Sequence, residues 1–233
     1  MQVVLNDIES ISRVVIEPER PLTDQELYDF CQANPGLRVE RTAAGEIVVM
    51  SPPGGETSCR NAELTAQLQF WSKRDGSGRA FDSNAEFILP NGAALSPDAS
   101  WVERTRLAGL TREQKRKFPP LCPDFVVELT SPTDRLPKVQ AKMREWMANG
   151  AQLGWLLDAD KGTAYVYRPG REPERLMPMG NVRSATFRYQ PEGWGKAYTP
   201  LSPLMTMASR NRLSMCLHVK LEVRKRAALK QSV

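Results

Sequence analysis

Apolar positions along the first 170 residues change period repeatedly, and the changes predict a chain of mixed helix and strand. Thr23-Asp24-Gln25-Glu26 has the S/T-x-x-E spacing of a capping box. Leu27, Phe30 and Cys31 follow at helical intervals, so a short helix is predicted over 23–33. Leu37 to Arg41 and Glu46 to Met50 flank Ala43-Ala44-Gly45 and read as a β-hairpin. Beyond the loop Ser51 to Gly55, the spacing of Leu64, Leu68 and Trp71 predicts an amphipathic helix over 58–74, ended by Asp75-Gly76-Ser77-Gly78. Strands are then predicted at 79–89, as a bent pair, at Asp98 to Glu103, at Asp124 to Leu129, and at Gly154 to Asp158 with a hairpin partner at Ala164 to Tyr167. One helix lies among them. Leu136, Val139, Met143, Trp146 and Met147 have its three-and-four spacing, and Gly150 supplies the stop.

These elements predict an α/β chain in the α+β sense, with a mixed β-sheet core flanked by helices and preceded by an N-terminal helix and hairpin. One domain is expected over residues 20–175, after an N-terminal extension at 1–19. From about 176 the patterning degrades: Met177, Met179, Met205, Met207 and Met215 scatter among prolines and arginines, and a poorly ordered basic tail is expected over 176–233.

Charge sharpens that boundary. The net charge of +5 divides into −3 over residues 1–175, with 22 basic and 25 acidic side chains, and +8 over 176–233, with 10 basic and 2 acidic. Basicity therefore belongs to the tail and says little about the domain that would carry chemistry. Cys31, Cys59, Cys122 and Cys216 lie far apart without a CxxC pair, and the lone His218 sits in the tail. Zinc ribbons, disulfide scaffolds and histidine-dependent triads lose their signatures, which leaves carboxylates and lysines for any acid, base or metal chemistry. No apolar run or signal-like start suggests a membrane protein, so a cytoplasmic one is expected.

Two Pro-Asp pairs, Pro97-Asp98 and Pro123-Asp124, each open a predicted strand, and the second strand carries Glu128. At about 3.3 Å per residue Asp124 and Glu128 lie roughly 13 Å apart, too far to share one ion. Asp98 and Glu128 are better placed, because antiparallel neighbours set the start of one strand beside the end of the other. Two such carboxylates suit Mg²⁺ or Mn²⁺, and a nearby lysine would orient water and counter developing charge. Thr130 stands two residues after Glu128, where an ExK pattern would place that lysine. Lys138 and Lys142 on the following helix are the substitutes, and Lys142 is preferred because Met143 and Trp146 pin its turn to the core. The segment between the acidic strands carries Arg104, Arg106, Arg112, Lys115, Arg116 and Lys117; it reads either as a solvated loop and short helix or as an arm contacting phosphates.

The run from Pro123 to Pro132, then Lys142 to Trp146, Asn149-Gly150 and Gly154 to Asp158, resembles the Uma-two family of "putative restriction endonucleases" within the PD-(D/E)xK superfamily. Leu22-Thr23-Asp24, Gly54-Gly55-Glu56-Thr57, Arg60 to Leu64, Leu89 to Gly92 and Ser96 to Trp101 extend the resemblance over about residues 20 to 172 and are similar to cyanobacterial members. The resemblance implies a restriction-endonuclease-like sheet, a divalent metal (Mg²⁺ or Mn²⁺), and DNA as the partner whose phosphodiester bonds are hydrolysed. It implies Asp98 and Glu128 as metal-binding acids and Lys142 as the relocated catalytic lysine. Arg112, Lys115, Arg116 and Lys138 are the candidates for nucleic-acid contact, and a homodimer is what double-strand cutting would suggest. Trp146 stands where the family's tyrosine is usual, and the tail departs from the family's ending. With the strand lysine missing, the alternative is a nuclease-fold binding or structural protein without turnover.

Overall fold

The computed structural model describes residues 13–132 and 134–176, all within one compact unit. Thr23 caps α1 (Asp24–Ala33) through the predicted box: its hydroxyl accepts from the Glu26 amide while Glu26 accepts from the Thr23 amide. α1 presents Leu27 and Phe30 to Val39, Ile47 and Val49, which lie on β2 (Arg38–Arg41) and β3 (Ile47–Met50), the two arms of the predicted hairpin.

The N-terminal segment adds an element that the sequence did not announce. β1 (Arg13–Ile16) pairs antiparallel with β3, although residues 1–19 read as an extension. The predicted bent pair at 79–89 is also divided. β4 (Gly78–Phe81) joins one sheet, whereas β5 (Phe87–Ile88) and the two-residue β6 (Ala94–Leu95) join the other. Gly78 is where backbone approach is tightest, since any Cβ there would collide with the Trp101 ring and the Val102 carbonyl.

The result is a five-stranded sheet, β1-β3-β2-β6-β5, and a six-stranded sheet in which β4 and β7 (Ala99–Glu103) precede β8 (Phe125–Leu129), β9 (Leu153–Asp158), β10 (Thr163–Tyr167) and β11 (Glu174–Leu176). In this second sheet β8 and β9 alone pair in parallel, joined by the crossover helix α5 (Leu136–Ala148); the remaining pairs are antiparallel. Between β3 and β4 lies α2 (Gly55–Asp75), and α3 (Arg104–Ala108) and α4 (Arg112–Arg116) form the basic segment after β7. Gly150, at φ 111, closes α5 as predicted. Met143 and Trp146 drive α5 into a core shared by Val126, Leu156, Phe87 and Leu95, so strands of both sheets meet around one helix. Apart from Leu176, the expected disordered tail lies outside the described residues.

Candidate metal and nuclease site

β7 and β8 pair with Ala99 opposite Val127, so Asp98, one residue before β7, falls opposite Glu128. The convergence anticipated from antiparallel pairing is therefore present in the register. Asp98 is held firmly. Its Oδ2 accepts from the Leu129 amide at 2.8 Å, its Oδ1 accepts from Asn61 Nδ2 of α2 at 3.1 Å, and Arg38 of β2 approaches Oδ1 at 3.7 Å.

Glu128 is buried in an otherwise apolar strand and has two partners from α5. Trp146 Nε1 donates to its Oε1 at 2.8 Å, and Lys142 Nζ lies 3.1 Å from the same oxygen. Lys142 also donates to Glu40 Oε1 at 2.7 Å and to the Ser96 carbonyl at 2.8 Å, while the Ser96 amide donates to Glu40 at 3.1 Å. Burial pushes the Glu128 carboxyl up to about 7, Lys142 counters that, and the negative charges of Asp98 and Glu40 add to it. For Lys142 burial works against the charged form, yet Glu128 and Glu40 outweigh it and raise the ammonium above its ordinary value. Nearby Glu86 is buried, its Oε1 without a hydrogen-bond partner among the described residues; burial, with the Glu40 charge, pushes it up to about 8. Carboxylates thus outnumber cations around Lys142, an arrangement that favours any further cation.

Among the described residues no group of three or more His, Cys, Asp or Glu side chains is arranged to hold a metal ion. The donor chemistry still fits one hard dication: Asp98 and Glu128 offer only carboxylate oxygens, and each carboxylate keeps acceptor capacity, at Asp98 Oδ2 and at Glu128 Oε2, beyond the donors named above. Backbone carbonyls, water or substrate phosphate would complete the shell.

Other candidates fall elsewhere. Asp124 sits at the far end of β8, where it accepts from Arg106 at 2.8 Å and from the Glu103 amide at 2.9 Å, as the 13 Å separation (roughly) implied. The α3–α4 segment leaves β7 from this same far end, so lying between the acidic strands in sequence does not put Arg112, Lys115 and Arg116 beside Asp98. All three are exposed, and Lys117 ties the segment to α1 through Gln25 at 2.5 Å and the Tyr28 ring. Lys138, by contrast, is one turn from Lys142 on α5.

Sequence reading missed Asn61, Arg38, Glu40 and the polar role of Trp146. Trp146 carried a usable signal: a core indole four residues after the candidate lysine must find an acceptor for its N–H. Arg38 and Glu40 alternate with Val39 in a strand, which predicts a polar face but not what that face meets.

No curated protein matches the chain. Its fold is similar to the crystal structure of a "putative nuclease belonging to DUF820" from Anabaena variabilis, at 25% identity and a TM-score of 0.56 over 67% of this chain and 84% of that one. The family described as "Putative restriction endonuclease", Uma2, matches residues 24–188, twelve residues beyond the last described strand, and the chain belongs to that family.

Proposed function

We propose that the protein is a metal-dependent endonuclease of DNA, with Asp98 and Glu128 as metal-binding carboxylates and Lys142 as the catalytic cation. The observation that carries this reading is the β7–β8 register, which sets two buried acids from different strands together with a lysine 3.1 Å from one of them. A bound Mg²⁺ or Mn²⁺ would polarise a phosphodiester and lower the pKa of a bound water. The chain's own residues do the rest. The Leu129 amide and Asn61 fix the Asp98 carboxylate, and the Trp146 indole fixes Glu128, so both acids are oriented before substrate arrives. Lys142, kept protonated by Glu128 and Glu40, is placed to orient the attacking water and to counter charge developing on the phosphate. Arg112, Lys115 and Arg116 would reach only flanking phosphates.

A second reading, a DNA-binding protein without turnover, is favoured by Thr130 at the strand position where the resemblance places lysine, and by the close ties of Lys142 to Glu40 and Ser96. Supercoiled plasmid incubated with purified protein and Mg²⁺ or Mn²⁺ should be nicked or linearised, and EDTA should stop it. Plasmid left intact across metals and sequences, with binding retained, would establish the second reading instead.

A further inference from the structure

The five-stranded sheet has two unlike faces. Val14, Val39, Ile47 and Val49 point to α1, so the alternate positions Arg13, Arg38, Glu40 and Met50 occupy the opposite face. Met50 pairs with Arg13 on one side and with Arg38 on the other, which sets the three abreast. Glu40 and Arg38 show what this face meets, because Glu40 binds Lys142 and Arg38 lies 3.7 Å from Asp98. Lys138 stands on α5 one turn before Lys142, which itself reaches Glu40 of this face, and the Arg13 charge is near enough to act on it. A row of cations therefore runs from the edge strand β1 to the carboxylate pair.

The anions beside this row leave it incompletely paired: Asp98 comes no nearer to Arg38 than 3.7 Å, and Asp134 and Glu40 act on Lys138 through their charge. The Nε atoms of Arg13 and Arg38 are buried without a hydrogen-bond partner among the described residues, and the Arg38–Asp98 separation exceeds a hydrogen bond. A buried donor without an acceptor is costly, and guanidinium forks match phosphate oxygens in geometry as well as charge. Arg13 and Arg38 flank one intervening strand, so their backbones stand roughly 10 Å apart, and at one charge per 3.4 Å of strand axis they can engage different phosphates of one strand.

We propose that Arg13, Arg38 and Lys138 form a phosphate-contacting row that carries the backbone of duplex DNA into the Asp98–Glu128 site. The choice of DNA as the polyanion rests on the nuclease reading; the row itself rests on register and contacts. Such contacts set register on the duplex and read no bases.

The test is fluorescence anisotropy of the full chain with a labelled 20-base-pair duplex in EDTA, across a salt series, so that no turnover is needed. The basic tail contributes equally to every variant. Arg13→Gln/Arg38→Gln should bind about tenfold more weakly and flatten the slope of log K against log salt by about 2, and Lys138→Gln by about 1. Lys73→Gln/Arg79→Gln, which removes two exposed charges at the far end of α2 and on β4, should keep the wild-type slope, and melting curves should show every variant folded. A wild-type slope in the Arg13/Arg38 variant would overturn the row, as would a larger loss in Arg112→Gln/Lys115→Gln, or wild-type protein that binds no duplex. If the row variants lose binding but wild-type protein never cuts plasmid with metal, the nuclease reading fails and the row stands.

Discussion

Asp98 and Asp124 each follow a proline, each stand at the entrance of a strand, and lie at opposite ends of the same β7–β8 pair, yet their surroundings differ in kind. Asp124 is balanced in charge: Arg106 meets one oxygen at 2.8 Å and the Glu103 amide donates to the other, which ties the start of α3 to the sheet. Asp98 has Arg38 only at 3.7 Å and stands among more acids than cations, with Glu128 opposite and Glu40 and Glu86 beyond Lys142. A Pro-Asp pair alone therefore does not mark chemistry. What separates the two is whether the local charge is already balanced.

The sharpest way to break the contrast is to remove each acid. Asp98→Ala and Glu128→Ala should each abolish Mn²⁺ binding by calorimetric titration and lower metal-dependent cleavage by at least about a hundredfold. Asp124→Ala should leave both nearly unchanged and instead cost about 1–3 kcal/mol of stability, from the lost Arg106 pair and an unsatisfied amide. Unchanged Mn²⁺ affinity in Asp98→Ala would remove Asp98 from the site, and lost affinity in Asp124→Ala would invalidate the distance argument.

That contrast was legible in sequence because strand rise is a fixed length: the separation of Asp124 from Glu128 needed no structure, and Asp98 needed only antiparallel pairing. The helices were legible for a similar reason, since the Thr23 box and the Met143–Trp146 spacing are local patterns. What stayed hidden depends on which surfaces meet. β1 is four residues in a segment without turn signals, and β6 is two residues, too short for any period. The strand alternation of Arg38, Val39 and Glu40 gave two faces, but that Glu40 would reach α5 is a fact about a second sheet, encoded by no spacing within the hairpin. The place of the arm from α3 to α4 stayed hidden for a different reason: nearness in sequence to both acidic strands concealed its departure from the far end of β7.

Lys142 sharpens the comparison at the acid-rich end, as the counterpart there of Arg106. Lys142→Met should lower cleavage about a hundredfold or more while Mn²⁺ still binds, because the acids remain. It should also destabilise the metal-free protein by about 3 kcal/mol, since Glu128 and Glu40 lose their shared counterion in a buried setting, and added Mn²⁺ should recover part of that loss. Arg106→Met at the balanced end should leave cleavage intact. Equal loss of cleavage in both variants would mean that Lys142 supports the fold rather than the reaction.

The last effect is read in stability and not in cleavage: it belongs to Glu86, which tests whether the acid surplus is a real strain at neutral pH. It faces Glu40 and Arg41 of β2, Lys142 of α5 and, from α1, Cys31, whose thiol is pushed up to about 12 by burial and then by the Glu86 charge. The Glu86 carboxyl titrates near 8 in the folded chain and near 4.5 when unfolded, so folding retains a proton that the unfolded chain releases. The sign follows: as pH climbs from about 4.5 to about 8 the Glu86 contribution to stability falls, and above that it is flat. Glu86→Gln removes this dependence and keeps the shape. Its melting temperature should match wild type near pH 4.5 and exceed it by about 10 °C above pH 8, with metal absent in both. A difference that stays constant across that range would mean Glu86 is ionised in the folded protein, and that Arg41 and Lys142 balance the cluster as fully as Arg106 balances Asp124.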